Sequence, residues 1–579
     1  MNSYFNLLKT WCDRLLELQL NSTDPRINGG IICPACHFIH GRCGDAINPL
    51  TTVADITGDK KYLDAANKLF SWTENNMVCS DGAIKNDSMN MWKGVSVFYA
   101  TSLLEALLHH RHILDTETEA SWSKRVKQIL EFLIPYIESC GTATNYSAAM
   151  CSALALAYTY FKDERYLTYA NKYAKIVMPF IDSEGIIAGE PKSILTPTKK
   201  GCLPIDIGYN VEETLPSLVN YYKITGNQKL LPLLLKSLTA HMDFYLTDGG
   251  LDNSFGSRTA KWSYWGSRTS DGCQTAYLDM ASFNPCFAEV ARRNFKLLEK
   301  CTKDGLLYGG AMYIENGEPP CVHHTFCHAK AVAHIVDVGF TQSKAIPLPM
   351  DMGNKVRHYN SIGVSLVRHG NFRATFSEYD WGDLQANPYS TATITLLQHD
   401  KAGTIFAASM PRFIPVEPTN MQYSISSESL CNTPRIEKIV DKTVYTNIFD
   451  RDCVMRGLPR GVGCEISGYL RSENKEASSS FSSSFTFKNE KFIATFKAND
   501  DATLILPIVS SSDEKTELEG NTLTVFRKNC SIKLSADLKI NTDFKRNINM
   551  VGGFSTLIAK IPLKANTPCK VTITIDNIQ

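Results

Sequence analysis

The sequence predicts an α+β protein of two parts: an N-terminal (α/α)6 toroid over residues 1–345, followed by a C-terminal antiparallel β-sandwich over residues 346–579. Apolar residues recur at helical spacing in the first part, as in residues 103–108, which predicts amphipathic helices. In the second part Thr, Ser, Val, Ile and Phe alternate, as in residues 571–575, which predicts antiparallel strands. Internal repeats in the helical part indicate a ring of helical hairpins.

Three helix corners carry related sequences. Residues 56–70, 161–173 and 224–231 each have a Gly, Asp or Asn turn followed by a new apolar stripe, as expected where one helix ends and the next begins. About six hairpins fit into the helical part, and their irregular loops favour a closed ring over an open solenoid. Four loops with a Gly turn are expected at one end of the ring, above the N-termini of the inner helices, where functional residues are also expected. These loops are residues 79–82, 182–185, 247–250 and 302–305.

Composition and charge exclude several classes of function. The 60 Lys plus Arg residues balance the 59 Asp plus Glu residues, which argues against nucleic-acid binding. No uncharged run approaches the about 18–20 apolar residues of a membrane span. The N-terminus shows no signal peptide, so a cytoplasmic location is expected, or a periplasmic one if a leader was removed. The 18 scattered cysteines indicate mostly free thiols and no dense disulfide framework.

The first candidate for chemistry is the loop of residues 33–45. Its Cys33-x-x-Cys36 pair is a familiar half of a zinc site, but a second cysteine pair at matching spacing is missing. We therefore predict neither a metal nor a cofactor. The alternative is a loop that lines a pocket with His40 and Arg42, because a guanidinium fork suits a carboxylate.

A second candidate immediately precedes an apolar helix. Tyr209, Asn210, Glu212 and Glu213 place a phenol, an amide and two carboxylates at the predicted mouth of the ring. An N-cap by Asn210, with acidic residues complementing the helix dipole, explains the carboxylates equally well but leaves Tyr209 unexplained. We predict a catalytic role for Tyr209 and a substrate-binding role for Asn210.

The third candidate, within residues 250–272, is the strongest signal for an anionic sugar. Aromatic faces stack on the C–H faces of sugar rings, while guanidinium and ammonium groups pair with acids. Two Arg and a Lys in one aromatic loop would be costly to bury unpaired, which argues against a purely structural role. The residues are Arg258, Lys261, Trp262, Tyr264, Trp265 and Arg268; Arg268 is predicted to be catalytic, and Arg258, Tyr264 and Trp265 to bind substrate.

Histidines and a few isolated residues complete the candidates. His324 and His328 lie four residues apart, as in metal sites, but the Glu of a His-Glu-x-x-His motif is absent. His324 is predicted to act in catalysis and His323 in substrate binding, whereas a structural role is the simplest explanation for His328. Fainter substrate-binding candidates are Trp92, Asn145 and Tyr146.

These hairpins and loop residues resemble the (α/α)6 toroid polysaccharide lyases, whose toroid is followed by antiparallel sheets. Within that group, Tyr209 and the segments 265–268 and 323–324 look most like polysaccharide lyase family 27. The resemblance implies cleavage of the L-rhamnose-α-1,4-D-glucuronate caps of arabinogalactan, with a tyrosine base in a deep pocket. Tyr209 is the position that matches this base, with Tyr146 and Tyr264 as alternatives.

The chemistry implied is β-elimination from an acidic oligosaccharide or polysaccharide. The C5 proton of a uronate is too weakly acidic unless the adjacent carboxylate is neutralised, a task for Arg and His donors. A phenol has an ordinary pKa of about 10, so Tyr209 needs nearby positive charge to act as a base. The departing O4 also needs a proton, from the same tyrosine or from a histidine. The expected sources of positive charge are Arg258, Arg268, His323 and His324.

Two other classes of function remain open from the sequence alone. A toroid glycoside hydrolase needs two carboxylates, about 5–5.5 Å apart if retaining and about 6.5–9.5 Å apart if inverting. A thiol- and zinc-assisted arabinofuranosidase is a variant of that class. A non-catalytic glycan-binding protein would present a shallow aromatic platform instead of a closed pocket. The available carboxylates are Asp45, Asp206, Glu212, Glu213 and Asp271.

Overall fold

The N-terminal part of the chain is helical. The computed structural model describes residues 2–88, 90–382, 391–409, 432–458 and 463–578. Among these residues, no helix combines the length and the apolar character required to cross a membrane. The helices are α1 (Ser3–Leu18), α2 (Ile47–Thr57), α3 (Lys60–Asn76), α4 (Ser96–His109), α5 (Thr116–Ser139), α6 (Thr144–Phe161), α7 (Glu164–Val177), α8 (Ile207–Tyr209), α9 (Leu215–Thr225), α10 (Leu231–Met242), α11 (Gln274–Asp279), α12 (Pro285–Lys300), α13 (Ala311–Glu315) and α14 (Val322–Asp337).

Six of these helices form the inner wall of a closed ring. Helices α2, α4, α6, α9, α11 and α14 each contact the next one, and α14 returns to contact α2. Helices α3, α5, α7, α10 and α12 pack outside as the second helices of their hairpins, and α1 packs outside α14. Most residues of the inner helix α6 are buried, and its Ala-rich middle allows close approach of its neighbours. The first helix of the chain therefore completes the last hairpin.

The repeated Gly turns have a common geometry. Gly82, Gly185, Gly249 and Gly305 all have a positive φ, at 87°, 90°, 90° and 74°. Each turn reverses the chain between two residues that pair as a short antiparallel bridge, such as Val78 with Ile84. Left-handed backbone of this kind favours glycine because a Cβ atom would be strained there. The turns recognised in the sequence are thus the corners that separate an outer helix from the following long loop.

The C-terminal part of the chain is built from antiparallel strands, and four short strands lie in the toroid loops. The strands are β1 (Trp262–Ser263), β2 (Gly266–Ser267), β3 (Thr302–Lys303), β4 (Leu306–Leu307), β5 (Lys355–Tyr359), β6 (Val364–His369), β7 (Phe372–Ser377), β8 (Thr393–His399), β9 (Gly403–Ala407), β10 (Arg435–Val440), β11 (Thr443–Thr446), β12 (Val454–Gly457), β13 (Gly463–Arg471), β14 (Ala477–Lys488), β15 (Lys491–Ala498), β16 (Ala502–Val509), β17 (Thr516–Glu519), β18 (Thr522–Arg527), β19 (Cys530–Ala536), β20 (Arg546–Asn549), β21 (Phe554–Leu563) and β22 (Cys569–Asn577).

Two sheets pack face to face in this β-domain. The smaller has the order β5-β6-β7-β8-β9, and the larger runs β17-β18-β19-β22-β15-β14-β13-β11-β10-β16-β21-β20, with β12 on β13. Side chains from both sheets share one apolar core; for example, the rings of Phe376 and Phe485 lie 5.0 Å apart. Strand β14 alternates buried and less buried residues along its length, the pattern that the sequence displays. The prediction of a helical toroid followed by an antiparallel β-domain is confirmed.

The smaller sheet also packs against the toroid. Tyr359 and Leu366 belong to the same continuous core as the helices. Arg373, on β7, is fully buried and donates hydrogen bonds to the carbonyl oxygens of Asp243 and of Tyr245, the latter at 2.8 Å. The hydroxyl of Thr375 donates to Asp252 at 2.6 Å. Buried polar contacts therefore fix the β-domain against the loops that follow α10.

We expect Arg373→Ala to destabilise the junction between the two domains. Loss of a buried cation leaves two carbonyl oxygens without their donor, at a cost of about 2–3 kcal/mol. Urea denaturation followed by intrinsic fluorescence will show a lower midpoint. The matched control is Arg357→Ala, which removes a guanidinium 54% exposed and 3.7 Å from Asp243. An equal shift for both variants would contradict this assignment.

Candidate functional site

The candidate site lies where the N-terminal ends of the inner helices converge. Asn145 and Tyr146 stand in the first turn of α6, and His323 and His324 in the first turn of α14. Tyr209 ends α8, just before α9. The N-terminal end of a helix carries partial positive charge from its unpaired N–H groups. The arrangement thus favours an anionic ligand at this end of the ring.

A π-helical turn places the residues around Tyr209. Residues Asn210–Thr214 form this turn between α8 and α9, and single π-turns of this kind are frequent at functional sites. The carboxylate of Asp206 accepts hydrogen bonds from the backbone N–H of Tyr209 at 3.2 Å and from the amide of Asn253 at 2.9 Å. Tyr209 is therefore held in a fixed position at the ring mouth.

Tyr209 is buried beneath a cation. The Arg258 guanidinium lies 4.2 Å from the centre of the Tyr209 ring, and the phenol hydroxyl is hydrogen-bonded to the hydroxyl of Thr269. Burial raises the pKa of Tyr209 above its usual value, and Arg258 opposes that rise by stabilising the phenolate. The local charge needed to assist a phenolate is thus in contact with the ring.

Arg258 is shared between the phenol and a buried acid. Its Nη1 atom donates to Glu190 at 2.7 Å, and Glu190 also accepts from the backbone N–H of Asn145 at 3.2 Å. Burial raises the pKa of Glu190 to about 7, although Arg258 lowers it. The Arg258 side chain remains 20% exposed, whereas Glu190 is buried. Arg258 is therefore the cation through which this cluster meets the solvent.

Glu213 is a second buried carboxyl group near Tyr209. The Asn145 amide donates to its Oε2 atom at 2.5 Å. Burial and the negative charge of Asp271 raise the pKa of Glu213 to about 8, while Arg42 and Asn145 act in the opposite direction. Both Glu190 and Glu213 therefore exchange protons close to neutral pH, in direct contact with Asn145.

Arg42 lies in a balanced network of charges. It donates to Asp45 at 2.7 Å, lies 3.6 Å from Asp271, and stacks on Phe98 at 4.4 Å. Lys330, on α14, pairs with the same two carboxylates at 3.1 and 2.8 Å. Two cations thus face two anions, and this network joins the first and the last hairpins of the ring.

The surroundings of Lys261 disfavour its charged form. It is buried beside two guanidinium groups, and burial together with Arg258 and Arg268 lowers the pKa of Lys261 well below its usual range. The negative charges of Asp206 and Glu213 act in the opposite direction. A carboxylate bound here would favour the ammonium form, so the cluster has a net electrostatic preference for an anion.

Trp92 and Tyr146 form the more open wall of the site. The Trp92 indole N–H donates to the Tyr146 hydroxyl at 2.6 Å, and the two rings meet edge to face at 5.3 Å. Both residues are half-buried. Burial, with a contribution from Glu213, raises the pKa of Tyr146 to about 12. Their aromatic surfaces are available for stacking on a sugar ring.

The histidines of α14 pack on Trp265. The Trp265 ring lies 5.5 Å from His324 and 4.4 Å from His328. His328 bonds to the carbonyl oxygen of His324 at 2.9 Å and approaches Glu212 at 3.5 Å. Glu212 in turn accepts from the backbone of Ser267 at 2.7 Å. This arrangement agrees with the structural role anticipated for His328.

His323 and His40 stand together at the edge of the site. Their rings meet edge to face at 5.8 Å. The Nδ1 atom of His323 contacts the Cys327 sulfur at 3.2 Å, and burial together with Arg42 lowers the pKa of His323 well below its usual value. His40 places its Nε2 atom 3.3 Å from the Cys321 sulfur. His40 is therefore directed at a cysteine cluster.

Three of the candidate residues make contacts away from Tyr209. Arg268 donates to the hydroxyl of Tyr313 at 3.2 Å and to the carbonyl oxygen of Met550 in the β-domain. Tyr264 donates to Asp248 at 2.6 Å and packs on Phe554. Asn210 donates to the carbonyl oxygen of Ile187 at 2.8 Å and contacts His241 at 3.0 Å.

A small cavity lies deeper in the ring. Its volume is about 90 Å³, and residues of all six inner helices line it, including Glu213 and Lys330. Pockets that enclose a small ligand usually measure about 300–1,000 Å³, so this cavity is too small for a sugar ring. A larger cleft of about 810 Å³ lies in the β-domain, and none of the candidate residues lines it. A substrate would therefore meet the site from the side of Arg258, Tyr146 and Trp92.

Comparisons with known proteins identify the family. The family described as "Ulvan lyase N-terminal domain" matches residues 8–350, and "Ulvan lyase C-terminal domain" matches residues 356–577. The "Broad-specificity ulvan lyase" of Formosa agariphila is 36% identical over 577 residues, which cover 95% of this chain and 90% of that protein. The chain belongs to the ulvan lyase family. It is a polysaccharide lyase, as the sequence predicted.

Solved structures support the same architecture. Heparinase III superposes with a TM-score of 0.58 at 13% identity, covering 92% of this lyase and 76% of heparinase III. The chondroitin AC lyase of Streptomyces coelicolor A3, solved with chondroitin sulphate, gives a TM-score of 0.53 at 11% identity, covering 99% and 80% of the two chains. These likenesses show the fold alone.

The comparisons also decide between the classes left open by the sequence. A lyase excludes the glycoside hydrolase and the non-catalytic glycan-binding protein as the main function. The narrower resemblance to polysaccharide lyase family 27 stays a prediction. Sequence reasoning missed Glu190, Thr269 and Lys330, which contact the candidate residues. Each is a common residue type. Thr269 lies inside the 250–272 segment without a feature that distinguishes it, and the sequence before Pro191 gave no signal of a buried acid.

We expect Glu213→Gln to change how the stability of this lyase depends on pH. The folded-state pKa of about 8 lies above the ordinary 4.5, so the native state holds an extra proton between these values. Loss of this proton as the pH rises lowers the free energy of unfolding. The decrease is at most about 1.4 kcal/mol for each unit by which the folded-state and unfolded-state pKa values differ. A Gln side chain cannot ionise and still accepts from Asn145.

The melting temperature of Glu213→Gln should therefore exceed that of the wild type at pH 8 and approach it at pH 4. The control is Glu131→Gln, which alters a carboxylate 59% exposed on α5. A difference between Glu213→Gln and wild type that does not vary with pH would refute a raised pKa for Glu213.

Proposed function

We propose that this lyase cleaves ulvan by β-elimination at a uronic acid, with Tyr209 as the base. The observation that carries the proposal is the Arg258 guanidinium 4.2 Å from the centre of the Tyr209 ring. This contact places the proton acceptor, Tyr209, next to Arg258, whose positive charge can neutralise a uronate carboxylate. The related lyase of Formosa agariphila acts on ulvan by its name, and ulvan contains uronic acids and rhamnose.

The first step is neutralisation of the substrate carboxylate. Arg258 is the partly exposed cation of the cluster, and Lys261 is buried close to it. We assign these two side chains to the carboxylate, with the Asn145 amide as an additional donor. Delocalisation of the C5 carbanion into a neutralised carboxyl group lowers the barrier to proton removal, as donors do in an oxyanion hole.

Arg258 takes the role that the sequence assigned to Arg268. The Arg268 guanidinium hydrogen-bonds Tyr313 and the Met550 carbonyl oxygen, and these partners hold it at the domain junction. Its charge still acts on Lys261. Arg268 is therefore a positioning residue in this proposal, and Arg258 is the catalytic cation.

Proton transfer is the second step. The Tyr209 phenolate takes the C5 proton, the electron pair forms the C4–C5 double bond, and the C4–O4 bond breaks. Tyr209 then carries the proton that the departing O4 requires, so one side chain can serve as base and acid. The hydroxyl of Thr269 supports the phenolate through its hydrogen bond. His323 and His324 line the same end of the ring, and we assign them to substrate binding and to the leaving group.

The sugar rings are expected to stack on the open wall formed by Trp92 and Tyr146. Both rings are half-buried, and the charge of Arg258 acts on Tyr146. More specifically, we propose that the cleaved unit of the substrate is a uronate linked to rhamnose. Such a linkage would occur within ulvan, and the rhamnose-capped glucuronate of arabinogalactan presents the same pair of sugars. These two substrates are the natural comparison in an assay.

We expect ulvan to yield products with a C4–C5 double bond conjugated to the carboxylate. That double bond absorbs in the ultraviolet, and hydrolysis creates none. Absorbance during incubation with ulvan, rhamnose-capped arabinogalactan and a uronate-free glycan separates the possibilities. A faster rise with ulvan supports the proposal. Release of reducing ends without an absorbance change would rule out elimination.

We expect Tyr209→Phe to lower kcat/KM by about 10²–10⁴-fold, the usual contribution of a positioned acid–base group. Since burial raises the pKa of Tyr209, wild-type activity should increase with pH through the neutral and mildly alkaline range. The residual activity of the variant should lack that increase.

The matched control is Tyr221→Phe. It removes a buried hydroxyl on the same helical segment, one that donates to Asn171 at 2.6 Å. Its activity and its pH profile should remain close to wild type. Full activity of Tyr209→Phe would transfer the role of base to Tyr146, which Tyr146→Phe then tests.

A further inference from the structure

Closure of the ring brings four metal-ligating side chains together. Cys33, Cys36 and His40 lie in the loop after α1, and Cys321 is the residue that precedes α14. Their ligand atoms all lie within 4.8 Å of one another. We call these four residues the seam cluster, because they join the first and last hairpins of the toroid.

The distances within the seam cluster match a tetrahedral site. The Cys321 sulfur lies 3.9 Å from the sulfur of Cys33, 3.9 Å from that of Cys36, and 3.3 Å from Nε2 of His40. Tetrahedral zinc with Zn–S bonds of about 2.3 Å and Zn–N bonds of about 2.0–2.1 Å separates two sulfurs by about 3.8 Å and a sulfur from a nitrogen by about 3.5 Å. A disulfide would require about 2.05 Å.

The backbone around the cluster donates to sulfur. The N–H groups of Cys36 and Val322 both point at the Cys33 sulfur, each at 3.4 Å. The loop is tightly folded, since the His37 N–H donates to the Cys33 carbonyl oxygen at 2.9 Å and His37 adopts a positive φ of 57°. Amide donors and the N-terminal end of α14 both stabilise thiolate charge, the form in which cysteine binds a metal.

A second group of potential ligands gives a useful contrast. Among the described residues, Asp45, Asp271 and Cys327 also bring ligand atoms within 4.8 Å of one another. The two carboxylates of that group are already paired with Arg42 and Lys330. The seam cluster instead combines three sulfurs and one imidazole, and three of its members are buried. Its donor set is therefore that of a soft metal site.

We propose that the seam cluster binds one Zn²⁺ ion through the sulfurs of Cys33, Cys36 and Cys321 and the Nε2 atom of His40. Four protein ligands fill a tetrahedral shell and leave no position for substrate, so the ion is structural. It would fasten the loop after α1 to the start of α14, across the seam where the ring closes. The site goes beyond the proposed lyase chemistry and does not depend on it.

The expected site stands next to the candidate active site without forming part of it. Cys321 is two residues from His323, and the His40 ring meets the His323 ring at 5.8 Å. A metal at the seam would thus hold the first turn of α14, which carries His323 and His324. Its main effect is on folding, because structural zinc sites are rarely formed in unfolded chains.

Zinc content of the purified full-length protein tests the proposal without any substrate. Elemental analysis after gel filtration should give about one zinc per chain, and X-ray absorption should show three sulfur ligands at about 2.3 Å and one nitrogen at about 2.0–2.1 Å. Cys36→Ser and Cys321→Ser should lose the ion. Cys79→Ser is the matched control, in the loop after α3, and should retain it.

Two further measurements keep the outcome decisive. If Cys321→Ser fails to fold, Co²⁺ added to chelator-treated wild type should still give the thiolate charge-transfer and tetrahedral d–d bands, which Cys36→Ser should lack. Removal of zinc should lower the melting temperature of wild type and Cys79→Ser, and Zn²⁺ should restore it. Three outcomes would each overturn the proposal. The native protein could be metal-free and take up neither ion, the bound metal could have only oxygen and nitrogen ligands, or Cys33 and Cys321 could form a disulfide.

Discussion

Closure of the helical ring is the constraint on which the rest of this lyase depends. Helix α14 packs between α1 and α2, so the end of the toroid is completed by its beginning. The closure is polar as well as apolar, since Lys330 reaches Asp45 at 3.1 Å across the seam. The network that joins Arg42 of the first hairpin to Lys330 of the last, through Asp45, exists only once the ring has closed. The end of the ring that carries the candidate site is therefore assembled only in the closed toroid.

The interior of the ring explains why the site is tuned for an anion. Arg42 and Lys330 face Asp45 and Asp271, so their charges cancel within a low-dielectric region. A second group of basic side chains consists of Lys261, Arg258 and Arg268. Burial and the two guanidinium groups lower the pKa of Lys261 there. Burial and the neighbouring cations disfavour the charged form of Lys261, and a bound anion would favour it. In the proposed mechanism a uronate carboxylate supplies that anion, so that substrate binding also balances the charge of the cluster.

The sequence predicts what is local and misses what depends on distant partners. Turns such as the one at Gly82 and the helical periodicity depend on residues close in sequence. Both features therefore predicted the helical ring correctly. Arg258 and Arg268 share one loop, but distant partners separate them: Glu190 holds Arg258 beside Tyr209, whereas the Met550 carbonyl oxygen holds Arg268 at the β-domain. Likewise, the Cys33 half-site looked incomplete because its partner Cys321 lies on the opposite end of the toroid sequence.

The β-domain supports the site from behind through the same loop. Arg268 donates to the Met550 carbonyl oxygen, and Tyr264 contacts both Thr404 and Phe554. One side of residues 258–270 is thereby held by the sheets, while Arg258 and Thr269 on the other side contact Tyr209. Loop residues keep catalytic geometry only when a rigid scaffold fixes them. In the proposed mechanism the described strands therefore restrain the loop that carries Arg258 and Thr269, which gives the toroid a physical reason to carry a β-domain.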